Sequence, residues 1–219
     1  MKKLTAKQLE NLMNKCLGDP RPNGPFNGIH HDSSNHVAVA SNGHVALVSK
    51  QAFCEDNAGK IIAKDGHVIN AKYANYDAVL KPFVGAYLKY PYVIDPATLE
   101  LQVRRYNALR KAKLVSKNAL VVLDSRSPFA VRGEYAKLMA AYSTTGWRIN
   151  QTSTHAAVNR SDDGMFIVMP VMTFGLVDYA PRRTIEIFDE YGIYDYAMAD
   201  YHEKDVPFDE IKAVLSTLK

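Results

Sequence analysis

A chain of 219 residues, 47% hydrophobic and 23% charged, has enough apolar content for one large or two small folded domains, which excludes a disordered tract. Its two cysteines, Cys16 and Cys54, are too few for a disulfide framework and lack CxxC spacing. The net charge of +4 is uneven: from Gly175 onward 5 basic residues stand against 10 acidic ones, leaving 22 against 13 in the remainder.

A basic body with an acidic tail suits a polyanionic partner, although at this magnitude composition alone favours ordinary surface charge. The longest apolar run, "MFIVMPVM", is too short to span a bilayer. The opening "MKKLTAKQLENLMNKCLG" is interrupted by charge, unlike the apolar core of a signal peptide, so a soluble, reducing, cytoplasmic setting is expected.

In chain order, Thr5 to Gln8 has the T-x-x-Q pattern of a capping box, and Leu9, Leu12, Met13, Cys16 and Leu17 continue at helical spacing until Gly18 and Pro20. Short alternating segments follow, "FNGIHHD", "HVAVAS", "HVALVS", "KIIAK" and "HVINAKY", which read as strands. Asn42-Gly43 and Asp65-Gly66 fall between them, predicting two-residue hairpin turns with positive φ at both central positions. Asp95-Pro96 predicts a capped second helix through Leu99, Val103, Tyr106 and Leu109. "ALVVL" reads as a strand, and a third helix runs through Tyr135, Leu138, Met139 and Tyr142. "WRINQTSTHAAVNRSDDGMFIVMPV" predicts two or three antiparallel strands, with Asp163-Gly164 as a turn. In the tail, "RRTIEIF" alternates like a strand, and a last helix starts near Pro207. Helix followed by strands occurs twice, which indicates an α+β architecture of duplicated units.

Chemical motifs are sparse. The chain lacks a Walker loop, a GxGxxG fingerprint and a GxSxG elbow. His30, Asp32 and His36 offer imidazole and carboxylate to a metal-dependent enzyme, but neighbouring strand residues point to opposite faces, which works against shared coordination by His30 and His31. Cys54 next to Glu55 and Asp56 makes a poor nucleophile. The stronger signal is "VRRYNALRKAKLVSK", residues 103–117, with Arg104, Arg105, Arg110, Lys111, Lys113 and Lys117 and no acid. Such a surface neutralises phosphates without reading bases; a solvated helix face is the alternative.

Three collinear motifs carry a resemblance. "VAVASNGHVALV" resembles the strand–turn–strand "vATDGHRLA" of bacterial beta sliding clamps, "NAKYANYDAVLKP" is similar to that family's "G-x-FPDY-x-x-VLP", and "MFIVMPV" resembles its C-terminal "YVVMPM". The likeness spans residues 5–172, with Asn42 in place of the family's acid and Val45 in place of its arginine. It implies a DNA-clamp-like α+β fold of helix-plus-antiparallel-sheet units, with no catalysis and no cofactor. Basic helices would face duplex DNA, making Arg104, Arg105, Arg110, Lys111 and Lys113 the DNA-binding set. A cleft for client peptides, such as those of a polymerase, would have Ser41, Gly43, His44, Val45 and Ala46 as one wall, Pro82 in the middle, and Val168, Met169, Pro170 and Val171 opposite. The expected organisation is a first clamp-like unit over 1–88, a second over 89–173, and an acidic extension over 174–219. That extension has no counterpart in the resemblance and its role is open, completing a sheet or covering the basic face or cleft being among the options. A ring would require a homo-oligomer. A clamp-fold interaction module without a DNA ring is the principal alternative, and a metal-dependent enzyme a further one.

Overall fold

The computed structural model describes residues 4–86, 90–124, 129–142, 146–150, 155–171, 180–199 and 202–218. In chain order its elements begin with α1 (Ala6–Lys15), β1 (Gly28–Asp32), β2 (Val37–Ser41), β3 (Val45–Ser49), β4 (Ile61–Ala63), α2 (Tyr76–Ala86), β5 (Tyr92–Val93) and α3 (Pro96–Lys111). There follow β6 (Leu120–Asp124), β7 (Phe129–Arg132), α4 (Gly133–Tyr142), β8 (Arg148–Ile149), β9 (Ala157–Arg160) and β10 (Gly164–Val168). α5 (Arg182–Tyr191), β11 (Ile193–Tyr194), α6 (Tyr196–Ala199) and α7 (Phe208–Ser216) come last.

These elements divide into two compact units, each combining helices with antiparallel strands. The first holds Met1–Pro91, Gly146–Arg148 and Ala157–Met169; the second holds Tyr92–Thr145, Ile149–Ala156 and Pro170–Lys219. This differs from the division expected at residues 88 and 173. The hairpin of β9 and β10 belongs to the first unit because β10 pairs along its whole length with β3. The C-terminal segment is part of the second unit because β11 pairs with β6.

In the first unit the strands run β4–β1–β2–β3–β10–β9, and Arg148 of β8 pairs with Val158. The register sets Ser41 opposite Ala46 and Ala46 opposite Ile167, so these side chains share one face of the sheet. α1 begins at the expected capping box: Gln8 N–H donates to Thr5 Oγ1 at 3.3 Å and Thr5 N–H to Gln8 Oε1 at 3.0 Å. It buries Leu9, Leu12 and Met13. Trp147 is buried edge-on against Phe166 at 5.3 Å.

The hairpin turns take another form than expected. Gly43 has φ +84 and Gly66 +90, whereas Asn42 and Asp65 keep negative φ. Asn42 Oδ1 accepts the N–H groups of His44 and Val45, both at 3.0 Å, and this side-chain clasp replaces the second left-handed residue. "HVINAKY" forms only a single bridge, Val68 to Ile62. Gly164 meets a different demand. A Cβ there would lie 2.0 Å from the Val48 carbonyl oxygen, so the close approach of β10 to β3 requires a glycine.

In the second unit the sheet order is β11–β6–β7. α3 starts where Asp95 accepts from Ala97 N–H at 3.3 Å and Thr98 N–H at 3.1 Å, with Pro96 in the first turn. Its buried side, Leu99, Gln102, Tyr106 and Leu109, meets α4, β6 and α7. Tyr106 lies where a Cβ on Gly133 would fall, and its hydroxyl donates to Glu134 Oε1 at 2.9 Å. "RRTIEIF" is helical, within α5, rather than a strand: Thr184 and Ile187 are buried three apart, and Gly192 at φ +66 ends the helix. Asp195 accepts from the backbone and hydroxyl of Ser116, tying the segment after β11 to the loop that follows α3.

Candidate functional site

The first unit contains an apolar groove of about 180 Å³. Its floor is the shared sheet face, with Val39 and Ser41 from β2, Ala46 from β3, and Ile167 from β10. Gly43, His44 and Val45 close the turn end, and Met169 reaches the same slot just beyond β10. Met169 N–H donates to the His44 carbonyl at 2.8 Å, which locks the two motifs together. Ser41 Oγ donates to the Val45 carbonyl at 2.7 Å and accepts from Gly43 N–H, so the turn is held from inside.

The opposite wall comes largely from the second motif, but through residues other than the Pro82 that the resemblance implies. It comprises Phe26, Tyr73 and Ala74 together with Tyr76, Val79, Leu80 and Phe83 of α2. The 76/79/80/83 spacing is that of one helical face, a signal present in "YANYDAVLKPF". Pro82 lies inside α2, is exposed, and is not among the lining residues, because its position turns it away from the 76/79/80/83 face. Val168 is fully buried and does not line the groove; the strand pleat directs Ile167 and Met169 to one face and Val168 to the other. Pro170 and Val171 belong to the second unit, where Val171 N–H donates to the Ala130 carbonyl at 2.8 Å.

Polar contacts behind the groove fix its helical wall. Tyr76 donates to Asp32 Oδ2 at 2.5 Å, and Asn35 Nδ2 donates to the same carboxylate at 2.8 Å and lies 3.2 Å from Asp77 Oδ2. Burial opposes ionisation of Asp32, but the hydrogen bonds from Tyr76 and Asn35 and from the backbone of Ser34 and Asn35 outweigh it and hold the carboxyl below its ordinary range. Tyr73 stacks on His30 with centroids 4.7 Å apart, and burial depresses the His30 pKa. Val79 is 62% exposed and Met169 36%, so the mouth of the groove presents apolar surface to solvent.

The imidazole–carboxylate set is dispersed. His31 faces the other way and accepts from Cys54 N–H at 3.2 Å, Asp32 is engaged by Tyr76, and exposed His36 sits 3.3 Å from Glu55. Among the described residues no three His, Cys, Asp or Glu side chains converge as a metal site.

The basic stretch is in the second unit. Arg104 and Lys111 lie seven apart on the exposed side of α3, which Glu100 and Asn107 share. Arg110 is exposed and donates to the Val115 carbonyl at 2.7 Å; Lys113, also exposed, follows the helix at φ 60. Arg105 departs from the expected set. It is half-buried, donates to the Tyr191 carbonyl at 3.1 Å and lies over the Tyr191 ring at 5.4 Å, capping the end of α5. Gln102 donates to the same carbonyl at 3.0 Å. The acidic C-terminal segment thus covers one flank of α3 as well as adding β11 to the sheet.

No protein-family model and no curated protein matches the chain. Solved structures are similar to it, two of them from one organism. The likeness is to bacterial sliding clamps. A crystal structure of a DNA polymerase sliding clamp from Pseudomonas aeruginosa with ligand has a TM-score of 0.47 at 12% identity, and one of the DNA polymerase III subunit beta from the same organism has 0.47 at 13%. In both, 77% of this chain and 65% of the clamp chain are covered, so the chain spans about 65% of the length of these structures.

Proposed function

We propose that the chain is a non-catalytic, DNA-associated tether that captures short apolar peptides of client proteins in the groove of its first unit. The observation that carries this reading is the convergence of the Gly43 turn, the α2 face and Ile167–Met169 on one apolar slot with an exposed mouth. Methionine, aliphatic and aromatic walls with a few hydrogen-bonding groups suit an adaptable peptide anchor better than a reacting substrate. The DNA half of the proposal rests on Arg104, Arg110, Lys111 and Lys113, which are exposed, whereas Arg105 is committed to α5. Encirclement of duplex DNA would require a homo-oligomer.

Labelled client-type peptides and anisotropy test the groove: Met169→Asp places a charge at its mouth and should weaken binding at least tenfold. Unchanged affinity would remove the peptide reading. Charge reversal at Arg104 and Lys111 together should weaken binding to duplex DNA and reduce its salt slope by about two. The second reading, an interaction module without DNA, is favoured by Glu100 sharing the exposed face of α3 and by the loss of Arg105 from it. Sedimentation mass with and without duplex distinguishes the two: a persistent monomer indifferent to DNA supports the module.

A further inference from the structure

The groove continues past its apolar slot. Phe26 and Ala74, part of its wall, also line a neighbouring hollow of about 670 Å³ with Arg21, Pro22, Pro25 and Lys72. Among the described residues no carboxylate lines that hollow. By contrast, the cavity of about 690 Å³ beyond Tyr76 and Leu80 mixes Lys50, Lys81 and Arg160 with Asp77, Asp162 and Asp163, and so has no preferred sign.

The two cations of the first hollow differ in state. Arg21 is clamped by Asp19 through Nε and Nη2, both at 2.9 Å, and Asp19 is held down at about 2 by that guanidinium. Lys72 is exposed and has no ion-pair partner among the described residues. The hollow therefore presents one uncompensated ammonium beside an apolar rim of prolines and Phe26. One buried apolar side chain does not by itself offset the freedom lost on association, so a ligand of the slot needs contacts beyond it.

Resting on the groove reading above, we infer that the peptide held there carries a carboxylate two to four residues from its apolar anchor, and that Lys72 receives it. The chain from Lys72 to Tyr76 bounds the reach, since four residues span at most about 14 Å. A side-chain carboxylate two to four extended residues from the anchor falls within that span. Lys72 acts here as a specificity element: it selects among apolar peptides and does not hold the anchor.

The test uses the full chain and fluorescein-labelled heptapeptides with a Leu-Phe anchor, carrying Asp or Asn three residues before or after it. One Asp peptide should bind about three- to fivefold more tightly than its Asn counterpart, as an exposed ion pair permits, and the preference should fade in high salt. Lys72→Glu should reverse that preference, whereas Lys64→Glu, with the same change in net charge outside the hollow, should keep it. Equal binding of the Asp and Asn peptides, or a preference that survives Lys72→Glu, would overturn the inference while leaving the groove intact. Binding of none of the peptides would overturn the groove reading itself.

Discussion

Removing one hydroxyl tests how the groove wall is held. Tyr76→Phe deletes the bond to Asp32 Oδ2 and leaves the ring in place. A hydrogen bond to an ionised group contributes about 1.5–3 kcal/mol. Here Asp32 keeps Ser34 N–H at 2.7 Å and Asn35 Nδ2 at 2.8 Å, and it is only partly buried, so the loss falls to about 1 kcal/mol. For a chain of this size that lowers Tm by about 2–4 °C. Urea unfolding of the two single variants and the double variant with Asp32→Asn should give a coupling of about 0.5–1 kcal/mol. Because the Asp32 pKa is depressed in the folded state, its stabilisation is present above about pH 4 and lost as pH falls through the folded value. The difference between wild type and Tyr76→Phe should therefore narrow below that pH. Additivity of the two substitutions within 0.3 kcal/mol, or a difference independent of pH, would refute the argument.

Three other outcomes follow from the same structure. Arg105→Ala should destabilise the protein by about 1–2 kcal/mol through loss of the Tyr191 contact, with Arg104→Ala within 0.5 kcal/mol of wild type; equal effects in denaturant melts would place both arginines in solvent. Burial lowers the pKa values of both His30 and His31, so the unfolded chain protonates first and stability should decline as pH falls below about 6.5; a flat profile between pH 5 and 7 would contradict this. Gly164→Ala drives a methyl into the Val48 carbonyl and should cost about 3 kcal/mol, whereas Gly43→Ala, with open space around it, should cost about 1–2 kcal/mol for its left-handed backbone alone; thermal melts in the reverse order would show that the β3–β10 approach is less constrained than described.

Local chemistry made much of the fold legible in advance. The Thr5 capping box and the Asp95-Pro96 helix start depend on neighbours in sequence and form as expected, while the Gly43 and Gly66 turns fall at the expected places with only the glycine left-handed. Half of the groove was legible through the clamp resemblance, which assigns both Ser41–Ala46 and Met169 to one cleft although they lie far apart in sequence. The remainder depends on long-range geometry. The resemblance assigns Pro82 to the cleft, but inside α2 it turns away from the lining face at 76, 79, 80 and 83, and only the folded helix shows which residues share that face. "RRTIEIF" satisfies both a two-residue and a three-to-four-residue period, and burial against its own unit decided for the helix. Arg105 could not be separated from Arg104 by composition, because what distinguishes them is a carbonyl 86 positions away.

The ladder between β3 and β10 has a consequence for how the polypeptide is made. Ser49 and Asp163, bonded at one end of that ladder, are separated by 114 positions in sequence. While the ribosome is still producing the second unit, the nascent first unit has no β10, and the rim of β3 stays open to any passing strand. A product released at that stage would expose unpaired backbone and half a binding slot, so truncation is more hazardous to this protein between β3 and β10 than after them.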